Sequence, residues 1–166
     1  MRPMSMHLQT ERLILRPWAE TDAADYRALI AERGDGELPP DTARERIATH
    51  LERTERTGIA LLAIQRRAEG DFIGYCGLII GRTTLEEPEI AYELFRRVHG
   101  HGYATEAARA VLAAAIDTGR TRLWATVGTW NAASLRVLDK LGFHRDHVAP
   151  HEDGKTDVAW LTRELP

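Results

Sequence analysis

The 166-residue sequence predicts an α/β fold, a mixed sheet with helices on both faces. Three observations lead there. Short apolar runs alternate with helical patterns in the order β-α-α-β-β-β-α-β-α-β-β. An alanine-rich segment, Ala104 to Ala115, keeps a strict helical period. Just before it, Gly100 and Gly102 form a joint between a strand and that helix.

Leu8 to Arg16 reads as the first strand, with Leu13, Ile14 and Leu15 apolar and Pro17 stopping it. Thr21-Asp22 opens a helix to Glu32, with Ala24, Leu29 and Ile30 on its apolar side. The loop from Gly34 to Pro40 is rich in turn residues, and Asp41 is expected to cap a second helix to Arg56, polar on most faces. Ile59 to Arg67 and Phe72 to Ile80 are strands of a hairpin turned at Ala68-Glu69-Gly70-Asp71. Glu89 to Phe95 is another strand. In the helix that follows, Ala104, Ala107, Ala108, Val111, Leu112 and Ala115 recur at helical spacing, and Gly119 is a natural stop. Small alanines on that side allow close packing on a sheet. Leu123 to Val127 is a strand. Asn131 caps a helix from Ala132 to Leu141 that Gly142 ends. Phe143 to Val148 and Thr156 to Leu161 finish as strands.

Composition narrows the function. Hydrophobic residues at 43% and charged residues at 28% are ordinary for a water-soluble domain, and residues 1–166 are expected to form a single one. A formal charge of −3 argues against a general nucleic-acid binder, which would carry a basic excess. The lone Cys76 excludes an internal disulfide and fits a reducing compartment. No apolar run approaches the ~20 residues of a membrane span. The opening Met1 to Met6 lacks the apolar stretch of a signal peptide. We therefore expect a cytoplasmic protein, monomeric or homodimeric, with no membrane partner.

The run His99-Gly100-His101-Gly102-Tyr103-Ala104-Thr105 is the most informative in the chain. A glycine loop entering a helix leaves backbone N–H groups unpaired where the helix dipole adds positive charge, which suits a phosphate or pyrophosphate. A dinucleotide fingerprint fails because Thr105 stands at its third glycine, and no Gly-Lys-Ser/Thr follows for a nucleotide-triphosphate loop. A plain strand-to-helix turn explains the glycines as well, taken alone.

A second segment, Asn131-Ala132-Ala133-Ser134-Leu135-Arg136-Val137-Leu138-Asp139-Lys140-Leu141-Gly142-Phe143, changes the balance. With the loop, with Leu8-Gln9-Thr10-Glu11-Arg12-Leu13-Ile14-Leu15-Arg16-Pro17 and with the ending Asp157 to Glu164, it resembles the GNAT superfamily of acetyl-CoA-dependent N-acetyltransferases. The opening is similar to the branch of ribosomal-protein N-terminal acetyltransferases. The resemblance implies a GNAT-like, mostly antiparallel sheet, acetyl-CoA as cosubstrate, and acetyl transfer to a primary amine, a protein N-terminus or a small molecule, by direct attack in a ternary complex. The alternative is a non-catalytic acyl-CoA-binding module. In the family pattern Gln/Arg-x-x-Gly-x-Gly/Ala, the slots here hold His99, Gly102 and Ala104. Arg96 or Arg97 could add charge near the phosphates, but a solvated position explains each better.

Acetyl transfer needs a neutral amine, an oxyanion donor and a proton for the departing thiolate. The resemblance places the backbone of Leu94 and Phe95 near the acetyl carbonyl. Glu93, a carboxylate in an apolar strand, is the candidate base; an ion pair with an arginine such as Arg96 or Arg97 explains it equally. Glu89, nearer the strand start, is expected to be solvated and is the weaker candidate. The resemblance makes Ser134 the acid, which an ordinary helix-start serine would also explain, and Asn131 a pantetheine contact, while a common family tyrosine is replaced by Leu138, so no second acid is evident. Asn131 serves equally as a helix cap. No metal is expected: His144 and His147, three apart, should lie on opposite faces of a strand. Trp18, Trp124, Trp130 and Trp160 read first as core, and Trp130, in a loop beside Asn131, is the one that could line a substrate or cofactor channel. The acceptor is expected between the two early helices and the loops Gly81–Pro88 and Ala149–Thr156, where Glu86, Glu87, Glu89, Glu152 and Asp153 give an acidic tint that suits a cation, although solvated loop acids explain them at least as well.

Overall fold

The computed structural model describes residues 1–166. Its strands are β1 (Leu8–Gln9), β2 (Leu13–Arg16), β3 (Leu61–Arg66), β4 (Phe72–Ile79), β5 (Glu89–Leu94), β6 (Arg122–Gly128), β7 (His144–Pro150) and β8 (Asp157–Glu164). They form one sheet in the order β1-β2-β3-β4-β5-β6-β8-β7. All neighbours are antiparallel except β5 and β6, which run parallel. The helices are α1 (Ala23–Ala31), α2 (Pro40–Thr57), α3 (Tyr103–Asp117) and α4 (Ala132–Lys140). The expected α/β class with a mostly antiparallel sheet is the observed one.

Side chains alternate across a strand, so the contacts of β4 and β5 identify the two faces. Tyr75 and Glu93 meet Arg33 just beyond α1, and Tyr92 meets Ser134 of α4. Thus α1 lies on one face, with α2 packed against it, and α4 lies on the other beside α3. A cluster of 36 buried residues fills both interfaces. The α3 stripe contributes Ala107, Ala108, Val111, Leu112 and Ala115, all buried as their spacing predicts. Gly119, in the left-handed region at φ 86°, follows the end of this helix.

Three expectations need correction. Leu8 to Arg16 is a hairpin rather than one strand, because the carboxylate of Glu106 in α3 accepts from the Thr10 hydroxyl and from the Arg12 N–H, the latter at 2.9 Å. No glycine or proline in the segment signals that turn. The second helix starts at Pro40, not after an Asp41 cap; Pro40 occupies the first helical turn, where a missing N–H costs nothing, and Asp41 pairs with Arg44. Finally, a register shift between Arg145 and His147 pairs His144 with Thr162 and His147 with Trp160. Those partners are two apart on β8, so the bulge returns both histidines to one face.

Candidate active site

The glycine loop follows a short 3₁₀ turn, Arg96–Val98, and delivers the chain into α3. Gly100 and Gly102 have φ of 82° and 80°, a region that side chains rarely tolerate. A Cβ on Gly100 would meet nothing within 4 Å, and one on Gly102 would meet only Arg12 Nη2 at 3.5 Å. Backbone conformation therefore demands the glycines, not crowding within the protein. The result is a run of backbone N–H groups, Gly100 to Thr105, none of which donates to a protein acceptor. Such an array at a helix N-terminus is suited to hold an anion of two or more phosphates.

The loop is braced on both sides. His99 donates from Nε2 to the Leu94 carbonyl at 2.9 Å, tying it to the end of β5. On the other side the Arg12 guanidinium lies 4.3 Å from the Tyr103 ring centroid and donates to Glu106 at 2.7 Å. Burial alone would raise the Glu106 carboxyl, but bonds from Thr10 and Arg12 outweigh it and hold it below the usual range. Beside the loop a groove of about 790 Å³ is lined by Thr105, Arg109 and Lys140, among others. Neither Arg109 nor Lys140 has a hydrogen-bonded or ionic partner in the chain, so two free cations flank the loop. Arg96 and Arg97, expected to be solvated, are engaged within the chain: Arg96 binds Glu32, and Arg97 binds Asp71 and the Phe72 carbonyl.

β5 and β6 are paired only at Glu89↔Trp124. Beyond that point no ladder joins the two strands, and we call this unpaired seam the slit. Phe95 N–H donates to Ile73 of the segment leading through β4 at 2.9 Å. In antiparallel pairing, alternate residues bond to the same neighbour. Odd positions of β5 thus bond to β4, and the main-chain groups of Tyr92 and Leu94 face the slit. Of the two anticipated oxyanion donors, the structure leaves Leu94 N–H facing the slit and commits Phe95 N–H to the sheet.

Carboxylates and hydroxyls divide between the two faces of β5. On the α1 face, Glu93 accepts from Arg33 Nε at 2.9 Å, from Arg33 Nη2 and from the Tyr75 hydroxyl at 3.0 Å. The pair is bidentate, and its hydrogen bond with Glu93 raises the Arg33 pKa further. The ionic partner is Arg33 rather than Arg96 or Arg97. Glu89 lies on the same face and is 3% exposed, not solvated. Its oxygens accept from the Arg82 N–H and the Thr126 hydroxyl, both neutral donors, and no cation sits within ion-pair distance. Ala91 lies between the two carboxylates, which the strand rise separates by about 13 Å. On the opposite face, Ser134 sits in the first turn of α4 with its Oγ 2.9 Å from the Tyr92 hydroxyl. Asn131 Oδ1 accepts from Ser134 N–H at 3.2 Å, so the helix-cap role is present. Leu138 is fully buried in the core.

The two loops expected at the acceptor meet: the Arg82 guanidinium pairs with Glu152 at 3.2 Å and donates to Thr126 at 2.9 Å. Most acids there have partners of their own. Glu87 takes the Trp124 indole N–H, and Asp153 caps Lys155 and Thr156. The acidic tint is therefore mostly spent on internal bonds. Trp18 is core, but Trp124 and Trp160 are half-buried, packed edge to face at 6.0 Å with His147 stacked on Trp160. Trp130 is 73% exposed beside Asn131, its ring lying over Gly128. No three His, Cys, Asp or Glu side chains converge as a metal site would require.

Comparison with known proteins decides what this arrangement is. The family model described as an acetyltransferase (GNAT) domain matches residues 12–144. The chain belongs to the GNAT acetyltransferase family. A Bacillus subtilis relative named Probable N-acetyltransferase YjcK is 30% identical over 95% of this chain and 94% of its own. A GnaT-family acetyltransferase structure from Bordetella pertussis superposes with a TM-score of 0.82 at 25% identity, covering 96% and 99% of the two chains. RimL, a ribosomal L7/L12 α-N-protein acetyltransferase solved with coenzyme A, shares the fold at 16% identity and a TM-score of 0.82, over 96% and 98%.

This GNAT chain departs from the family's loop pattern at His99, and the geometry accounts for it. The imidazole is spent on the Leu94 carbonyl, leaving the loop's main-chain N–H groups free of side-chain cover. Arg33, Tyr92 and Glu106 are not singled out by the sequence, and Glu89 ranks there below Glu93. Each acts through a partner distant in the chain, such as Arg33 and Glu93 at 60 residues' separation.

Proposed function

We propose that this acetyltransferase moves the acetyl group of acetyl-CoA to a primary amine by direct attack within a ternary complex. The observation that carries the proposal is the slit between β5 and β6, with the anion-binding loop at one end and Glu89 at the other. Coenzyme A fits the α3 and α4 side. Its pyrophosphate suits the N–H groups from Gly100 to Thr105, and its remaining phosphate suits Arg109 and Lys140. Its pantetheine arm suits the outward-facing main chain of Leu94 and Tyr92. The acceptor approaches from the α1 side over Ala91.

Glu89 is the proton acceptor in this scheme, working through a water because it is nearly closed off. It sits where the slit begins and carries no counter-cation. Glu93 is held as a structural pair by Arg33. The neutral amine attacks the thioester carbon, the oxyanion accepts a hydrogen bond from Leu94 N–H, and the C–S bond breaks with its electron pair on sulfur. Ser134 protonates the sulfur, and the proton given up by the amine restores the balance through solvent. Cys76 is no acyl carrier: it is fully buried on β4, and burial pushes its thiol far above the usual range. The opening residues favour the ribosomal-protein-like branch, with a protein N-terminus as acceptor ahead of a small amine, in the cytoplasm.

The test is thiol release from acetyl-CoA by the purified chain, offered peptides with free N-termini and a set of small amines. Turnover with at least one amine, lost on Glu89→Gln, is expected. Tight coenzyme A binding without turnover on any amine would establish the binding-module alternative instead.

A further inference from the structure

With Leu138 buried in the core, α4 offers no phenol near Ser134, but one arrives from the sheet. The Tyr92 hydroxyl on β5 lies 2.9 Å from Ser134 Oγ and 3.2 Å from the Ser134 carbonyl oxygen. We infer that Tyr92 is a positioning residue that aims the Ser134 proton at the coenzyme A sulfur. The inference rests on the assignment of Ser134 as the donor to that sulfur.

The phenol has one proton and two acceptors within reach. When it donates to the carbonyl, Ser134 satisfies the phenol oxygen with its own O–H, and that proton is spent on the phenol. When it donates to Ser134 Oγ, the serine O–H is free to turn toward the slit. Negative charge building on sulfur selects the second arrangement, because only there does the thiolate gain a hydrogen bond. The pair is therefore a two-state proton arrangement that the leaving group itself switches. Burial pushes the Tyr92 pKa up to about 12, so the phenol keeps its proton and works as a neutral donor. Its titratable neighbour is Cys76, aligned with it on β4, which burial keeps neutral. The half-buried ring leaves little freedom to the hydroxyl, and Asn131 fixes the backbone of Ser134. No net proton is taken from Tyr92: the proton passed from Ser134 to sulfur is replaced by the one the amine releases.

Coenzyme A itself is the probe. Its bound thiol is titrated by the ultraviolet absorbance of the thiolate, with no acceptor needed. A thiolate that accepts the Ser134 bond should titrate below a free thiol. Tyr92→Phe removes one hydroxyl and should raise the bound thiol's pKa by about half a unit to one unit, a three- to tenfold loss of preference for the thiolate. Ser134→Ala should raise it at least as far, and Tyr92→Phe should add nothing in the Ser134→Ala background. Coenzyme A affinity below the thiol titration should be unchanged. Replacing Tyr92 by 3-fluorotyrosine, a stronger donor of nearly the same shape, should lower the thiol pKa, which keeps the question open to test if Tyr92→Phe folds poorly. An unshifted thiol in Ser134→Ala would remove the donor assignment underneath. A shift in Ser134→Ala with none in Tyr92→Phe, or additive shifts in the double variant, would overturn the role of Tyr92 alone.

Discussion

Substituting Glu89 and Glu93 by glutamine in separate proteins should have opposite consequences, although both carboxylates lie on one face of β5. At Glu93 the change removes the charge from a bidentate pair with Arg33 whose side chains are 25% and 45% exposed. Fully buried pairs lose ~3–5 kcal/mol when broken, and exposed ones ~0.2–1. With both partners partly in water, the loss here should be about 1–2 kcal/mol, because solvent screens Arg33 and the amide still accepts one bond. For a chain of this length that lowers the melting midpoint by about 3–6 °C. The rate of the folded enzyme should change little. At Glu89 an amide can turn its oxygen to the Arg82 N–H and its NH₂ to the Thr126 hydroxyl, so stability should be nearly preserved. Turnover should instead fall about 10²–10⁴-fold, or ~3–5 kcal/mol of barrier. The deficit should shrink as pH rises and the free amine supplies itself, above about 8 for an α-amino acceptor and toward about 10 for a lysine. Thermal melts and pH–rate profiles on both variants separate the roles. A Glu93→Gln protein of unchanged stability that loses a hundredfold in kcat, beside a fully active Glu89→Gln, would refute the assignment and return the base to Glu93.

Other consequences are as direct. Gly102→Val places a β-branched residue at φ 80° and should weaken coenzyme A binding by about tenfold or more through backbone strain alone, measured by calorimetry on the folded variant; unchanged affinity would remove the loop as the pyrophosphate site. Charge reversal at Arg109 and Lys140 together should raise the KM for acetyl-CoA roughly five- to tenfold yet leave that for its dephospho form unaltered, and an equal effect on both would show that these cations do not read the extra phosphate. His50 stacks on Trp18, and burial pushes its pKa from 6.5 down to about 4. The unfolded chain therefore binds this proton more readily, so stability is complete above about pH 6.5 and declines toward about pH 4. His50→Phe should keep the stack and flatten that decline; an identical pH slope in melts of the variant would assign it to other groups.

Patterns confined to neighbouring residues were legible in the sequence. The alanine stripe of α3, the left-handed glycines of the loop and the Asn131 cap each need only a few adjacent positions. Where partners come from far along the chain, local pattern carried no signal. Nothing near Thr10 indicates a turn, because the carboxylate that folds it belongs to Glu106. Glu89 looks like a strand-end acid, and only Arg82 and Thr126, from two other elements, show how a carboxylate is kept inside. Tyr92 appears as one more aromatic in a strand until α4 brings Ser134 against it. The bulge in β7 reverses a face assignment because strict alternation fails wherever one extra residue enters a strand.

The single bridge between Glu89 and Trp124 makes the sheet two panels meeting along an incomplete seam. In the proposed ternary complex, donor and acceptor take opposite sides of it and touch only through the opening. Neither need vacate its berth for the other to enter, so there is no steric reason for one to leave before the other arrives. An inhibitor that joins the two molecules must accordingly be a slender, unbranched thread at its midpoint. Bulk at the junction should defeat it however well its ends bind, and room for variation lies only in the two ends.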